Sequence, residues 1–367
     1  MECPIRRITC ADTDRFIHPA FVELLKSEFG VHVDDNDPDL VLFGPYPGYE
    51  FLKHKGARRL FLTEENVIAD FNLADFAFGY APLEFGDRYM RLPNYFFYPY
   101  FEDLARTNYS QGSFESKDRF CNFIYSNPEP DRMREQMFRA VSRYKHVHAH
   151  GRQLNNAEPL PVATGFAGWN AAKLDVLKRY KFTIVCENSS SPGYTTEKLT
   201  DALYAHTVPI YWGNPDVARD FNPERMVNFH CCTSLDEVVA HVKRLDRDDD
   251  AYRGMLTQPI FDVQNLERLP TRERVIEFLR PIMLGKARGR NLRVWGEIYE
   301  RRFDELSRLY RSSGHLPAVI EGLQQDLAST RKIALDTISR YAEPTLADTA
   351  KVGWRFLRTA ARRALRK

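Results

Sequence analysis

The chain has little of what marks several large protein classes. Its six cysteines among 367 residues form no CxxC pair. A disulfide framework is not expected at this size, so reduced thiols in a cytosolic setting are the default. No run approaches the roughly 18 apolar residues that span a bilayer, and the opening MECPIRRITCADTD lacks the apolar core of a signal peptide. The expectation is a soluble protein, cytoplasmic or resting on the inner face of the cytoplasmic membrane. Net charge is only +2, so the bulk balance implies no nucleic-acid partner. Internal repeats, low-complexity tracts and a P-loop are also missing.

What is present is globular: 43% hydrophobic and 28% charged residues, with an aromatic-rich complement of 25 Phe, 18 Tyr and 4 Trp. The first third alternates short apolar runs, DLVLF (39–43), RLFLT (59–63) and FAFGY (76–80), with a helical pattern over 17–29. A polar stretch at 107–117 is the best boundary, after which the alternation restarts. Strands are expected at 119–125 and 145–150, with helices at 131–144 and 236–245, and two further apolar strands are read within 180–222. Strand–helix alternation indicates parallel wound sheets. Two in tandem predict an α/β protein of two Rossmann-like domains, 1–115 and 116–305, followed by a basic helical tail, 306–367.

The segment 180–222 carries the most chemistry. It reads as strand, Gly-containing loop, helix and strand, and a loop entering a helix offers unpaired N–H groups to an anion. Lys198 in the first turn opposes the helix dipole unless an anion sits there. Lys198 is thus a candidate for a diphosphate, and Glu197 for sugar or ribose hydroxyls. The bland alternative is a solvated Glu/Lys pair at a helix start. Arg152, after the strand at 145–150, lies where a wound sheet faces its ligand crevice.

Taken whole, KFTIVCENSSSPGYTTEKLTDALYAHTVPIYWGNPDVARDFNP resembles the donor-binding signature of the α1,3/4-fucosyltransferases, glycosyltransferase family 10. The resemblance extends to YSNP (125–128), HGR (150–152) and LTEENVIADFNLADFAFGY (62–80). It implies a GT-B fold with two domains facing across a cleft, a GDP-β-L-fucose donor, inversion at the anomeric carbon, and neither cofactor nor catalytic metal. It also implies that Arg152 and Lys198 hold the β-phosphate, that Asn188, Tyr194 and Glu197 line the donor pocket, and that Glu65 is the general base. The expected acceptor is a glycan or lipid-linked glycan, through O3 of a GlcNAc or Glc residue. One position departs from the family pattern: Glu64 stands where the family has glycine. Either Glu64 is strained by a positive φ, or it places a second carboxylate beside the base and rivals Glu65.

Other features have plainer readings. His146, His148 and His150 would share one strand face, a geometry open to a metal but more often solvent-facing. The acidic run DRDDD (246–250) is expected to be solvated, Asp75 to serve a turn as readily as catalysis, and the aromatic stretch 95–101 to be core rather than a sugar-stacking wall. From 346 onward, Lys351, Arg355, Arg358, Arg362, Arg363, Arg366 and Lys367 stand against one acid, Asp348, around an apolar stripe of Val352, Trp354, Phe356 and Leu357. That pattern suits peripheral contact with anionic lipid, or a helix packed on the enzyme. The alternatives for the whole chain are the same fold with another GDP-sugar, or a catalytically silent glycan- or nucleotide-binding protein.

Overall fold

The computed structural model describes residues 5–13, 17–46, 48–98, 100–104, 111–126, 131–162, 168–261, 263–290 and 294–312. The chain divides into two compact units, Met1–Phe303 and Asp304–Lys367. The basic stripe at 346–367 lies outside the described residues, as do Asn127 and Pro128.

The first half contains β1 (Arg7–Ala11), α1 (Ile17–Phe29), β2 (His32–Val33), β3 (Leu40–Phe43), β4 (Arg58–Phe61), β5 (Phe76–Gly79) and β6 (Tyr89–Arg91). The short helices α2 (Phe101–Leu104) and α3 (Gln111–Glu115) follow. The second half runs β7 (Arg119–Phe123), α4 (Met133–Ser142), β8 (Val147–Ala149), α5 (Trp169–Leu177), β9 (Tyr180–Cys186), α6 (Glu197–Tyr204), β10 (Val208–Trp212), β11 (Val227–Asn228), α7 (Leu235–Arg247) and α8 (Asp249–Leu256). The chain continues through α9 (Val263–Leu266), α10 (Arg272–Met283) and α11 (Trp295–Ser312).

Among the described residues the strands form a six-stranded sheet, β2-β1-β3-β4-β5-β6, and a five-stranded sheet, β11-β10-β9-β7-β8. Every pairing is parallel. Helices cover both faces, so the central strands are buried on both sides and read as unbroken apolar runs: all four residues of β3 are buried. Strand β1, RITCA, escapes that reading because its sequence carries no such run, although it pairs with β3 along Ile8–Ala11. Helix α1 spans the 17–29 of the periodicity, and α7 buries Val238, Val239 and Val242 as its spacing predicts.

The sequence-based division assigns 116–305 to the second domain. In the structure, α10 turns back onto the first sheet: Val275, Leu279, Ile282 and Met283 share one core with Ile8, Phe21, Leu40, Phe76 and Phe78. Arg58 Nη1 donates to the Ala287 carbonyl at 2.8 Å, and buried Arg59 pairs with Glu300 at 2.6 Å. Asp75 belongs to this joint. Its carboxylate accepts the Arg59 amide at 2.7 Å, the Arg290 amide at 2.8 Å and the Arg290 guanidinium.

Most of the aromatic stretch is core. Tyr95, Tyr100 and Phe101 pack with Leu199, Leu203 and Phe221. The acidic run staples helices. Asp246 accepts Tyr144 at 3.0 Å and Lys145 at 2.9 Å, while Asp248 caps α8 through the Ala251 amide. His150 is buried and bonded through both ring nitrogens, to the Glu158 carbonyl (2.6 Å) and the Tyr180 hydroxyl (2.7 Å).

Candidate functional site: an anion-binding corner between two parallel sheets

Loops leaving the C-terminal ends of β4, β5, β7, β9 and β10 meet where the two sheets face each other, the usual ligand edge of wound sheets. Asn66, after β4, donates to the Ser189 and Ser191 hydroxyls beyond β9 at 2.5 and 2.9 Å, and accepts the Tyr80 hydroxyl. Tyr194 donates to the Glu64 carbonyl at 3.3 Å, and its ring meets Tyr80 edge-on at 4.9 Å. Gly193 has φ +85°, and a Cβ there would come within 2.6 Å of the Tyr80 carbonyl. Only glycine lets the donor-side loop approach the first sheet this closely. Arg91, at the end of β6, forks onto Asp220 with contacts of 2.8 and 2.6 Å.

The start of α6 is built from its own loop. Glu187, one residue past β9 and wholly buried, accepts the Thr196 amide at 2.8 Å and the Thr196 hydroxyl at 2.6 Å. Thr196 caps the helix, accepting the Lys198 amide at 3.4 Å. Lys198 Nζ then sits 3.5 Å from Glu187 Oε2, 3.5 Å from Glu197 Oε1 and 3.1 Å from the Thr196 hydroxyl. Burial pushes the Glu187 carboxyl up, more than Lys198 pulls it down. Burial alone would also raise Glu197, but Lys198 and Lys173 outweigh it and hold Glu197 below the usual range. For Lys198 burial acts downward, and the two carboxylates overcome it and keep the ammonium charged.

A second cation faces the same corner from α4. Arg134 is 1% exposed, its guanidinium lies 4.1 Å from the Tyr125 ring, and Nη2 donates to Asn188 Oδ1 at 2.9 Å and the Cys186 carbonyl at 3.2 Å. Its Nε and Nη1 have no hydrogen-bond partner among the described residues. Buried donors are rarely left so, and an Arg with two open N–H edges fits an oxyanion. Its positive charge repels that of Lys198 and acts to lower the Lys198 pKa, so the two fields overlap.

The sequence-predicted residues distribute around this corner. Lys198, Glu197 and Asn188 are in it. Tyr194 links it to the first sheet, where Glu64 and Glu65 stand half-buried on a bend after β4. The Glu65 amide donates to Thr63 Oγ1 at 3.0 Å, and the Glu65 charge reaches the Tyr194 hydroxyl, whose pKa is raised first by burial and then by Glu187 and Glu65. Glu64 is not among the residues with positive φ, so it carries no strain; its charge is felt by Tyr98 instead. Arg152 is exposed at the rim, beside Gly151, where a Cβ would strike the Tyr125 backbone at 2.1 Å.

Sequence reading overlooked Arg134, Glu187 and Asn94, whose Nδ2 reaches Glu197 Oε2 at 3.3 Å from the first sheet's side. For Arg134 a signal exists: it falls in register with Met137, Phe138 and Val141 on the buried face of α4. An arginine in an apolar stripe needs a partner the helix does not supply.

Two parallel α/β sheets, joined at their ligand edges around paired cations and carboxylates, make the two-domain architecture of the GT-B fold. The model of the α-(1,3)-fucosyltransferase FucT N-terminal domain matches residues 5–98, and that of the glycosyltransferase family 10 (fucosyltransferase) C-terminal region matches 114–257. This chain belongs to glycosyltransferase family 10. The α-(1,3)-fucosyltransferase FucT of Helicobacter pylori is 32% identical over 265 residues, covering 62% of this chain and 52% of that protein. An α-(1,4)-fucosyltransferase of Arabidopsis thaliana is 30% identical over 136 residues, 34% of this chain and 33% of that one. The crystal structure of an α1,3-fucosyltransferase with GDP-fucose superposes with a TM-score of 0.62 at 25% identity, over 76% of this chain and 90% of that one. The chain thus spans about half the length of the H. pylori protein. No helix of the described residues is long and apolar enough to cross a membrane.

Proposed function

We propose that this chain transfers L-fucose from GDP-β-L-fucose to a glycan hydroxyl with inversion, most naturally O3 of a GlcNAc or Glc residue. The observation that carries the reading is the pair of cations, Lys198 and Arg134, the latter with two buried N–H edges unpartnered among the described residues. Glu65 takes the proton of the acceptor hydroxyl as its oxygen attacks the anomeric carbon. The bond from that carbon to the diphosphate breaks on the opposite face, and GDP departs with the electron pair. Lys198 and Arg134 stabilise the charge that develops on the diphosphate, with Arg152 at its outer rim. Asn188 and Tyr194 line the donor pocket, and Glu197 takes donor hydroxyls. No step calls on a metal or a cofactor.

The decisive experiment is an acceptor array with GDP-fucose and GDP-mannose in parallel. Transfer from GDP-fucose alone is expected. Equal turnover of GDP-mannose would favour another GDP-sugar, and tight GDP binding with no transfer to any acceptor would favour a silent binding protein. The same array reads the linkage, α1,3 against α1,4.

The acceptor is proposed to be lipid-linked, with the basic, apolar-striped segment 346–367 holding the enzyme at an anionic cytoplasmic leaflet. Truncation after Tyr341 should abolish sedimentation with anionic liposomes; unchanged pelleting would remove this part of the reading.

A further inference from the structure

A thiol, a carboxylate and an imidazole with no part in the donor site converge where β11 turns into α7. The ligand atoms of Cys232, Glu237 and His241 all lie within 4.8 Å of one another. Glu237 is in the first turn of α7 and His241 four residues on, so both project from one helix face beside the Cys232 loop. Capping accounts for only part of this. Glu237 Oε2 accepts the Thr233 amide at 2.7 Å and the Thr233 hydroxyl at 2.8 Å, while Ser234 caps the helix. That arrangement fixes the carboxylate plane, as an outer-shell hydrogen bond orients a ligating carboxylate. It gives no reason for the thiol or the imidazole. Cys232 is in no disulfide, and its thiol donates to the Asn228 carbonyl at 3.5 Å.

We propose that this corner binds one zinc ion through Cys232 Sγ, a Glu237 carboxylate oxygen and the His241 imidazole, with water completing a tetrahedron. The donor set is mixed sulfur, nitrogen and oxygen, which suits zinc and excludes calcium or magnesium. Two ligands on one zinc stand roughly 3.5 Å apart. The longest present separation therefore closes by about 1 Å, within reach of a rotamer change at exposed His241. Binding releases the Cys232 thiol proton to solvent. The ion stays out of the transfer chemistry and pins the 229–232 loop to α7. That loop carries His230, whose Nε2 lies 3.3 Å from the Gly213 amide, and Gly213 presses on Glu187, where a Cβ would come within 2.4 Å of Cγ. Zinc thus braces the wall behind Glu187 and is independent of which sugar is transferred.

The test uses the full chain, reduced and stripped of metal. Zinc is titrated against a chromogenic chelator, and cobalt(II) is substituted as a reporter. One equivalent of zinc, a raised Tm and a thiolate-to-cobalt charge-transfer band are expected. Cys232→Ser should lose the band, and both Cys232→Ser and exposed His241→Ala should lose more than about tenfold in affinity. His146→Ala, altering the separate histidine row, should bind as wild type. No stoichiometric zinc, a cobalt band that survives Cys232→Ser, or affinity unchanged in His241→Ala would overturn the proposal.

Discussion

Glu187 occupies the place at the start of α6 that an anionic ligand would otherwise take: its carboxylate holds the Thr196 amide at 2.8 Å and hydroxyl at 2.6 Å. The Lys198 amide is taken by Thr196 Oγ1, and the Leu199 amide by the Thr196 carbonyl. Three amides at this helix start are therefore satisfied internally. On the proposed reading, the diphosphate is therefore met by the side chains of Lys198 and Arg134 rather than by these backbone N–H groups.

Removing the plug should cost stability. Glu187→Ala leaves a buried N–H and a hydroxyl without an acceptor and takes one of two carboxylates from Lys198, a loss of about 3 kcal/mol. Glu187→Gln, which still accepts from the amide, should lose distinctly less. Urea unfolding of the three proteins measures both.

Two arginines are proposed to contact the diphosphate, and burial separates them. Arg134→Ala should lower kcat/KM by about 10²–10³, and Arg134→Lys should not restore it, because lysine lacks the planar fork and the ring stacking. Arg152→Ala, at an exposed and screened position, should cost only a few-fold, in keeping with about 1 kcal/mol for a surface pair. Steady-state kinetics with GDP-fucose rank the three.

Glu65→Ala should abolish transfer while leaving GDP affinity nearly intact, and Glu64→Ala should retain most activity. Calorimetric GDP titration beside the transfer assay makes this a split between chemistry and binding. Activity surviving in Glu65→Ala would return the base role to Glu64.

The Arg91–Asp220 fork ties the two sheets, with Asp220 2% exposed at its side chain. Asp220→Ala leaves a half-buried guanidinium without its carboxylate and should cost about 3 kcal/mol. The double change Arg91→Met with Asp220→Leu should recover much of that loss, which a double-mutant cycle in urea reads directly.

His206 makes stability depend on pH. Burial, followed by the charges of Lys117, Arg225 and Lys178, lowers its pKa from 6.5 to about 4. Between those values the unfolded chain binds a proton that the native chain does not, so this contribution is complete above about pH 6.5 and is lost as pH falls toward about 4. His206 has φ 57°, which asparagine tolerates. His206→Asn should therefore fold and flatten the acid limb of the stability–pH curve, measured by urea midpoints from pH 4 to 7.

Local sequence determined a good deal of this protein. The doubly buried strands β3, β9 and β10 are legible because parallel strands covered on both faces need unbroken apolar runs. Helices α1 and α7 are legible because one apolar face imposes a 3.6-residue period. Lys198 stands out because a cation in a first helical turn is locally unfavourable and asks for an anion. β1 was not legible, since its place beside β3 comes from pairing with a distant strand rather than from its own RITCA pattern. Nor was the return of α10 to the first sheet, because an apolar helix face does not say which of two sheets covers it. The satisfied N–H groups of α6, the open edges of Arg134 and the meeting of Tyr194 with Glu64 depend on segments tens to more than a hundred residues apart. Sequence thus named the cation and the carboxylates, and tertiary structure alone decided their partners, because desolvation and hydrogen-bond satisfaction are properties of the packed neighbourhood and not of the local chain.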